Sequence, residues 1–315
     1  MTAASTATSL RLERWRLLAR GLRDFAGRYV RRVDGVIGLV ALVIFAVLAL
    51  APELLVGPLE TATRATANAF DGPSAAHILG ADDLGRDMLN RTVHGARISM
   101  TIGLLATLIT LVVGVVVGLV AGYAGGVVDN LLMRISDFFL VLPTFVLAII
   151  LAPVLIDVVG VDAQVLGIRA TLLVIIVVIG ITSWASTARI IRSQVLSLKE
   201  RMFVDRARVV GAGPARIVLR HILPNVVNLI VANAVLTFAI AVLTETTLSF
   251  IGLGDPFQPS WGQILNAAQE SGAPGLGAWW TIAPPATCVV LVVLSFTLVG
   301  NALDDLLNPK SGARR

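Results

Sequence analysis

Six apolar runs divide the chain, at 35–51, 99–121, 138–158, 170–188, 226–250 and 283–303. Each has about the 17–25 residues that a helix needs to cross the hydrocarbon of a bilayer. The pattern predicts an all-α integral membrane chain with six transmembrane helices. Pro52 and Glu53 end the first run, and its close, ALALAP, has the small residues of a cleavage site. The polar leader before it is too long for a signal peptide, so an uncleaved anchor is expected. In the second run Gly114 and Gly118 make a small-xxx-small step, a feature that lets helix backbones approach in lipid. Pro143 and Pro153 predict kinks in the third. In the fourth, Thr182 with Ser186 and Ser183 with Thr187 lie one turn apart, where back-bonding to the helix carbonyls is expected. In the fifth, Asn233, Thr237 and Thr244 share one face at 100° per residue, and Glu245 follows. A polar stripe inside a span faces protein or a water-filled path, so these four are candidate path residues; for Glu245 a structural hydrogen bond or ion pair is the rival reading.

The polar stretches fill in the rest. Residues 1–34 interleave Arg11, Arg14, Arg16, Arg20, Arg23, Arg28, Arg31 and Arg32 with Trp15, Leu18, Leu22, Phe25 and Tyr29. This suits either an amphipathic helix on anionic lipid or a solvated tail that fixes topology. Residues 57–98 contain His77, Asp82, Asp83, Asp87 and His94 without compact ligand spacing such as HExxH. Turns at Gly80 and Gly85 followed by an amphipathic helix are expected there instead. Residues 122–137 and 159–169 read as short connections, and 251–282 as a Gly- and Pro-rich loop with Trp261, Trp279 and Trp280 at a membrane interface.

One polar island, DRARVVGAGPARIVLRHILPN at 205–225, separates the fourth and fifth runs. Val204, Ala207, Val210, Ile217, Val218 and Leu219 keep near-helical spacing, and Gly211, Gly213 and Pro214 interrupt it. Two short helices with a glycine turn between them are expected. Gly211 and Gly213 are free to take positive φ, Pro214 opens the second helix, and Pro224 closes the unit by biasing Leu223 away from helical geometry.

With 56% apolar and 14% charged residues over 315 positions, the chain is no ordinary soluble domain, for which about 25% charge is typical. A single cysteine, Cys288, excludes a disulfide framework or a cysteine metal site. The net charge of +5 is not spread as in a nucleic-acid binder. Twenty of the 25 Lys and Arg residues fall on the side holding both termini and the island, which predicts that this side faces the cytoplasm. No Gly-x-x-x-x-Gly-Lys-Ser/Thr phosphate cradle occurs, and neither HExxH, GxSxG nor CxxC, so neither a nucleotide site nor a hydrolase or redox centre is encoded. The middle of every span lacks Asp, Glu, Lys, Arg and His, contrary to the needs of a self-contained channel or proton-coupled carrier.

The order acidic-x-Ala, three residues, Gly, nine residues, x-x-Leu-Pro, read at Asp205, Ala207, Gly211, Leu223 and Pro224, resembles the cytoplasmic loop of permease subunits of ATP-binding-cassette importers. Asp205 stands where Glu is usual, Arg206 where Ala is usual and His221 where Ile is common. HILGADDLGRDMLNRTVHGARIS, SLKERMFVDRARVVGA, RHILPN and ETTLSFIGLG with PSWGQIL are similar to the second, C-type permease of dipeptide/oligopeptide importers. The resemblance implies a type I importer permease fold and a non-catalytic, multi-pass subunit of a bacterial plasma membrane importer of short peptides. It implies ATPase coupling through Asp205, Arg206, Ala207, Gly211, Ala212, Leu223 and Pro224. No cofactor is expected in this chain, because ATP and Mg belong to partner ATPases. The implied partners are a homologous second permease, two ATPase subunits or one fused ATPase, an extracytoplasmic substrate-binding protein and membrane lipid, with no nucleic acid. The same architecture serves nickel chelates, other small solutes or antimicrobial peptides as alternative cargo. The expected organisation is a cytoplasmic basic segment (1–34), a first transmembrane helix (35–56), an extracytoplasmic loop (57–98), a permease core with coupling loop 191–224 (99–304) and a cytoplasmic tail (305–315).

Overall fold

The computed structural model describes residues 23–24, 26–160, 163–165 and 168–307. Most of the arginine-rich leader, and the tail residues Lys310, Arg314 and Arg315, lie outside them. Among the described residues nine principal helices follow one another: α1 Val33–Leu50, α2 Met88–Ala124, α3 Gly126–Val141, α4 Thr144–Val159, α5 Ala170–Lys199, α6 Met202–Val209, α7 Leu223–Leu248, α8 Trp261–Glu270 and α9 Ala283–Leu307. Five helical segments among the described residues are long and apolar enough to cross a membrane, and α3 with α4, bent by 90°, makes a sixth if taken as one broken span. The chain is a multi-pass membrane protein.

Helices α2 and α5 form the centre. They run parallel, and glycines bring them together: a Cβ on Gly114 would lie 2.7 Å from Cβ of Thr187, one on Gly118 2.6 Å from the Ala188 carbonyl oxygen, and one on Gly122 2.7 Å from Cβ of Val195. On α5 the reciprocal contact is Gly180, whose Cβ would stand 2.5 Å from Ile109. The small-xxx-small step is therefore a helix seam that runs on for another turn at each end. In its most apolar window α5 is 72% buried, against 17% for the peripheral α1. Helix α7 lies antiparallel to α2, with Gly103 against Val242 and Phe238, and α9 closes over α7 and α1. Arg32 before α1 pairs with Asp305 in the last turns of α9 at 2.5 Å, so the start of α1 and the end of α9 share one end of the bundle, here termed the basic end.

Several elements depart from the sequence pattern. Helix α2 starts at Met88, not near Ser99, because Asp87 caps it by accepting from the Asn90 amide at 2.8 Å, and Met88, Arg91, His94 and Ala96 are buried. Residues 126–141 are helix, not a short connection; the Asp129 carboxylate receives Arg192 of α5 at 2.5 and 2.7 Å and pins α3 there. Proline breaks the third span at Pro143, whereas Pro153 is absorbed inside α4. The connection 159–169 carries a two-residue antiparallel ladder, Gln164–Val165 with Ile168–Arg169. Trp261 is not at an interface: it is fully buried, its Nε1 donating to the Thr92 carbonyl at 3.0 Å and its ring edge-on to Phe45.

At the end opposite the basic one, 57–87 folds against α2 and Trp280. Gly80 and Gly85 take φ of 67° and 70° as turn formers, and a Cβ on Gly85 would lie 2.1 Å from the Ala67 carbonyl oxygen. Asp82 receives Arg86 and Arg91, each at 2.7 Å, and Asp87 holds His77 Nδ1 at 2.7 Å. Among the described residues no group of three or more His, Cys, Asp or Glu side chains is placed to hold a metal ion.

Gly118→Val should lower the melting temperature of the detergent-solubilised protein, by overpacking worth about 1–3 kcal/mol. Gly213→Ala, where a Cβ meets nothing within 4 Å, should leave it unchanged. Equal melting of the two variants would contradict the seam. The hydrogen bond that His77 donates to Asp87 holds the imidazole above its ordinary pKa, against a smaller opposing effect of burial. A raised folded value means that this pair stabilises fully below the unfolded value of about 6.5 and loses its contribution as pH climbs through the folded one. Melting scanned from about pH 5.5 to about pH 8.5 should fall across that window, and Asp87→Asn should flatten the fall.

Candidate functional site

Helix α5 runs past the apolar zone to Lys199, and a bend at Glu200 and Arg201 leads into α6. Helix α6 ends at Val209, the chain turns through Gly211 at φ 83°, and Pro214 opens the next helix at its first position. A φ of 83° is open to glycine and costly to a residue with a Cβ, so Gly211 makes the turn. Gly213 sits at φ −67° in extended geometry and caps the second helix, so its expected left-handed role does not arise.

The helix-turn-helix unit has a buried root and an exposed crest. Val204, Ile217 and Ile222 are at most 1% exposed and pack with Leu119 of α2, Ile191 and Val195 of α5 and Val226 of α7. Each such side chain contributes about 1.5–3 kcal/mol on burial, so the unit moves with the helices rather than beside them. Ala207, Ala212 and Leu223 pack around that root. The crest exposes Met202, Val209 and Val210, the last two at 88% and 86%. Next to it an open depression of about 400 Å³ is lined by Phe203, Arg206, Val210, Arg216, Arg220 and His221. Asp205 is exposed and pairs with Arg208 at 2.9 Å, a surface contact of small worth. The crest is thus apolar and the depression beside it is rimmed by arginines.

Pro224 does not close the unit. Leu223 is helical, at φ −52° and ψ −45°, and its amide donates to the Val218 carbonyl, a five-residue step. Residues Val218–Ile222 form a π-helical turn, and Pro214–Leu253 runs as one segment of 40 residues. The wider turn leaves room for a proline ring that would otherwise press on the carbonyl four residues back. It also explains why Ile222 was not singled out from the sequence: Ile217 and Ile222 share a face only because five residues fit in that turn, a period that a 3.6 repeat misses.

Of the four path candidates, Asn233, Thr237 and Thr244 are half-buried and Glu245 is fully buried. Asn233 Nδ2 donates to Thr187 Oγ1 of α5 at 2.9 Å, with Thr237 Oγ1 at 3.4 Å, and Thr244 back-bonds to Ile240. In α5, Thr182 and Ser186 back-bond as expected, while Thr187 is taken up by Asn233. Glu245 is fully buried and does not border an open path here: Ser249 Oγ donates to its Oε1 at 2.8 Å. The physical reason is that α2 and α8 close over this end of α7.

Comparison with known proteins bears on what such a surface serves. A model of the family described as binding-protein-dependent transport system inner membrane component matches residues 114–312. The dipeptide transport system permease protein of Alkalihalophilus pseudofirmus is 35% identical over 278 residues, covering 87% of this chain and 85% of the relative. The oligopeptide transport system permease protein of Bacillus subtilis is 35% identical over 290 residues, 91% of this chain and 89% of the relative. A di/tripeptide transport system permease protein of Pseudomonas aeruginosa is 34% identical over 242 residues, 76% of this chain and 75% of the relative.

Proposed function

The chain belongs to the family of binding-protein-dependent transport system inner membrane components, and on that premise we propose that it is a permease subunit of an ATP-driven importer of short peptides. The observation that carries the reading is the clasped unit at 202–222, buried at its root and apolar at its crest. A chain without a nucleotide cradle must receive work from elsewhere, and a rigidly rooted lever is the part suited to receive it. Two ATPase subunits, or one fused ATPase, bind ATP and Mg and dock on the crest around Asp205, Arg206, Ala207, Gly211 and Ala212. Leu223 and Pro224 join the lever to α7. ATP binding closes the ATPases, and the lever carries that movement into the bundle as a rigid-body switch between two packed arrangements.

A homologous second permease completes the path, and an extracytoplasmic binding protein delivers the peptide. Peptide cargo is favoured over nickel chelates or other small solutes by the named cargo of the relatives. Asn233, Thr237 and Thr244 remain the residues nearest a path, reached if α5 and α7 part. The basic end, with both termini and coupling loop 191–224, faces the bacterial cytoplasm, as the twenty-to-five division of Lys and Arg supports. The segment 57–98 then lies outside the plasma membrane and 99–304 forms the core.

Charge reversal at Asp205 (Asp205→Arg) or Gly211→Leu should lower peptide uptake about tenfold while the protein still inserts and the complex still hydrolyses ATP. Full uptake by both variants counts against the lever. In a Cys288→Ser background, a cysteine at Gln269 should react with an impermeant thiol reagent on intact cells and one at Met202 only after lysis; the opposite pattern reverses the orientation.

A further inference from the structure

Glu245 is a carboxylate that the transport reading leaves without a task. It lies at the far end of α7, fully buried, and it has no ion-pair partner among the described residues. Hydroxyls surround it. Ser249, one turn on, donates to Oε1 at 2.8 Å, while Ser99 of α2, Ser260 at the start of α8 and Thr246 stand around the same carboxyl. Oε2 and Thr246 Oγ1 complete no hydrogen bond of good geometry. Ser99 Oγ already accepts the Trp261 amide at 3.1 Å, and Ser260 Oγ accepts the Gln263 amide at 3.2 Å. Each hydroxyl has thus used an acceptor position on the backbone of α8 and keeps its own proton to give to the carboxyl.

Three elements, α2, α7 and α8, meet at this point. A Cβ on Gly262 of α8 would lie 2.4 Å from the Thr246 carbonyl oxygen, so the backbones of α8 and α7 touch. Asn266 Nδ2 of α8 donates to the Phe250 carbonyl at 2.9 Å, and Trp261 is buried between α2 and α1. Beyond the cluster the chain leaves α7 through Gly252 at φ 90°, which permits a change of direction there. At its other end α7 continues into the lever through the π-turn, so one segment, Pro214–Leu253, joins lever and cluster.

We infer that Glu245, with Ser249, Ser99 and Ser260, is a positioning knot that fixes α8 to the far end of α7 and to α2, so that a displacement of the lever reaches α8 without slack. This rests on the permease reading for its consequence, and on the geometry above for its existence. The knot works by hydrogen bonding and without a counter-ion, because an isolated charge sealed from water is too costly to keep. The side chain that replaces it must therefore be polar and of the same length, not charged.

The test uses the assembled importer in lipid nanodiscs, with Cys288→Ser and spin labels on cysteines at Thr101 of α2 and Gln269 of α8. Electron paramagnetic resonance reads the distance between them before any nucleotide is added. Glu245→Gln should keep the wild-type narrow distribution and peptide moved per ATP within about twofold, whereas Glu245→Ala should broaden the distribution and lower the ratio about tenfold. If Glu245→Ala does not assemble, Ser249→Ala with Ser260→Ala carries the same expectation. An unchanged distance and ratio in the alanine variants overturns the knot. So does a Glu245→Gln as damaging as Glu245→Ala, since that outcome requires a charge, a carried proton or a bound cation. If the complex moves no peptide but the Gln and Ala variants still differ in distance, the knot stands and the permease reading falls.

Discussion

The parallel seam between α2 and α5 is the contact on which the other features depend. Lipid offers no hydrophobic drive for two helices to associate, so their attraction comes from close approach of backbones and side chains. Gly114, Gly118 and Gly122 present that approach on α2, and Thr187, Ala188, Ile191 and Val195 fill it from α5. The same stretch of α5 that closes the seam then roots the lever, since Ile191 and Val195 also touch Ile217 and Ile222. A displacement at the lever thus meets a stiff pair of helices, not a single one.

Stiffness along α7 comes from the handling of Pro224. A proline in the interior of a helix removes a hydrogen bond and crowds the preceding turn, and the ordinary result is a break. Here the chain spends one extra residue in a π-turn, keeps Leu223 helical and passes straight from lever to span. Pro143 has the other outcome, a 90° elbow between α3 and α4. The difference follows from surroundings: Ile222 and Val226 on either side of Pro224 are fully buried in the clasp, whereas Val141 beside Pro143 is 80% exposed and nothing holds the helix straight.

Hydropathy made the six crossings and the polar island legible, because lipid selects long apolar runs and the island interrupts them. The glycine turn at Gly211 was legible for a local reason, a conformation that only glycine takes easily. What the pattern missed is tertiary. An amphipathic helix before Ser99 is legible, but not its continuity with the second crossing, nor the burial of Arg91 and His94 within it. Trp261 reads as an interfacial ring until α1, α2 and α8 are seen to enclose it. The polarity of Glu245 and Asn233 is visible in the sequence, whereas the groups gathered around them, Ser99, Ser260 and Thr187, come from other elements that only the fold brings near. Within the third crossing, the first half of α3 reads as a connection because Asp129 and Arg134 look like a loop until Arg192 is placed opposite Asp129.

The parallel course of α2 and α5 also bears on biogenesis. Neighbouring crossings that are consecutive in sequence alternate in direction, so two that point the same way must wait for the intervening chain. Thr187 follows Gly114 by more than seventy residues, which at about 5–20 residues per second is several seconds of synthesis. During that interval the glycine face of α2 stands in the bilayer uncovered, with no mate yet emerged from the ribosome. It is there that an insertion chaperone, or a wrong neighbour, has its opportunity.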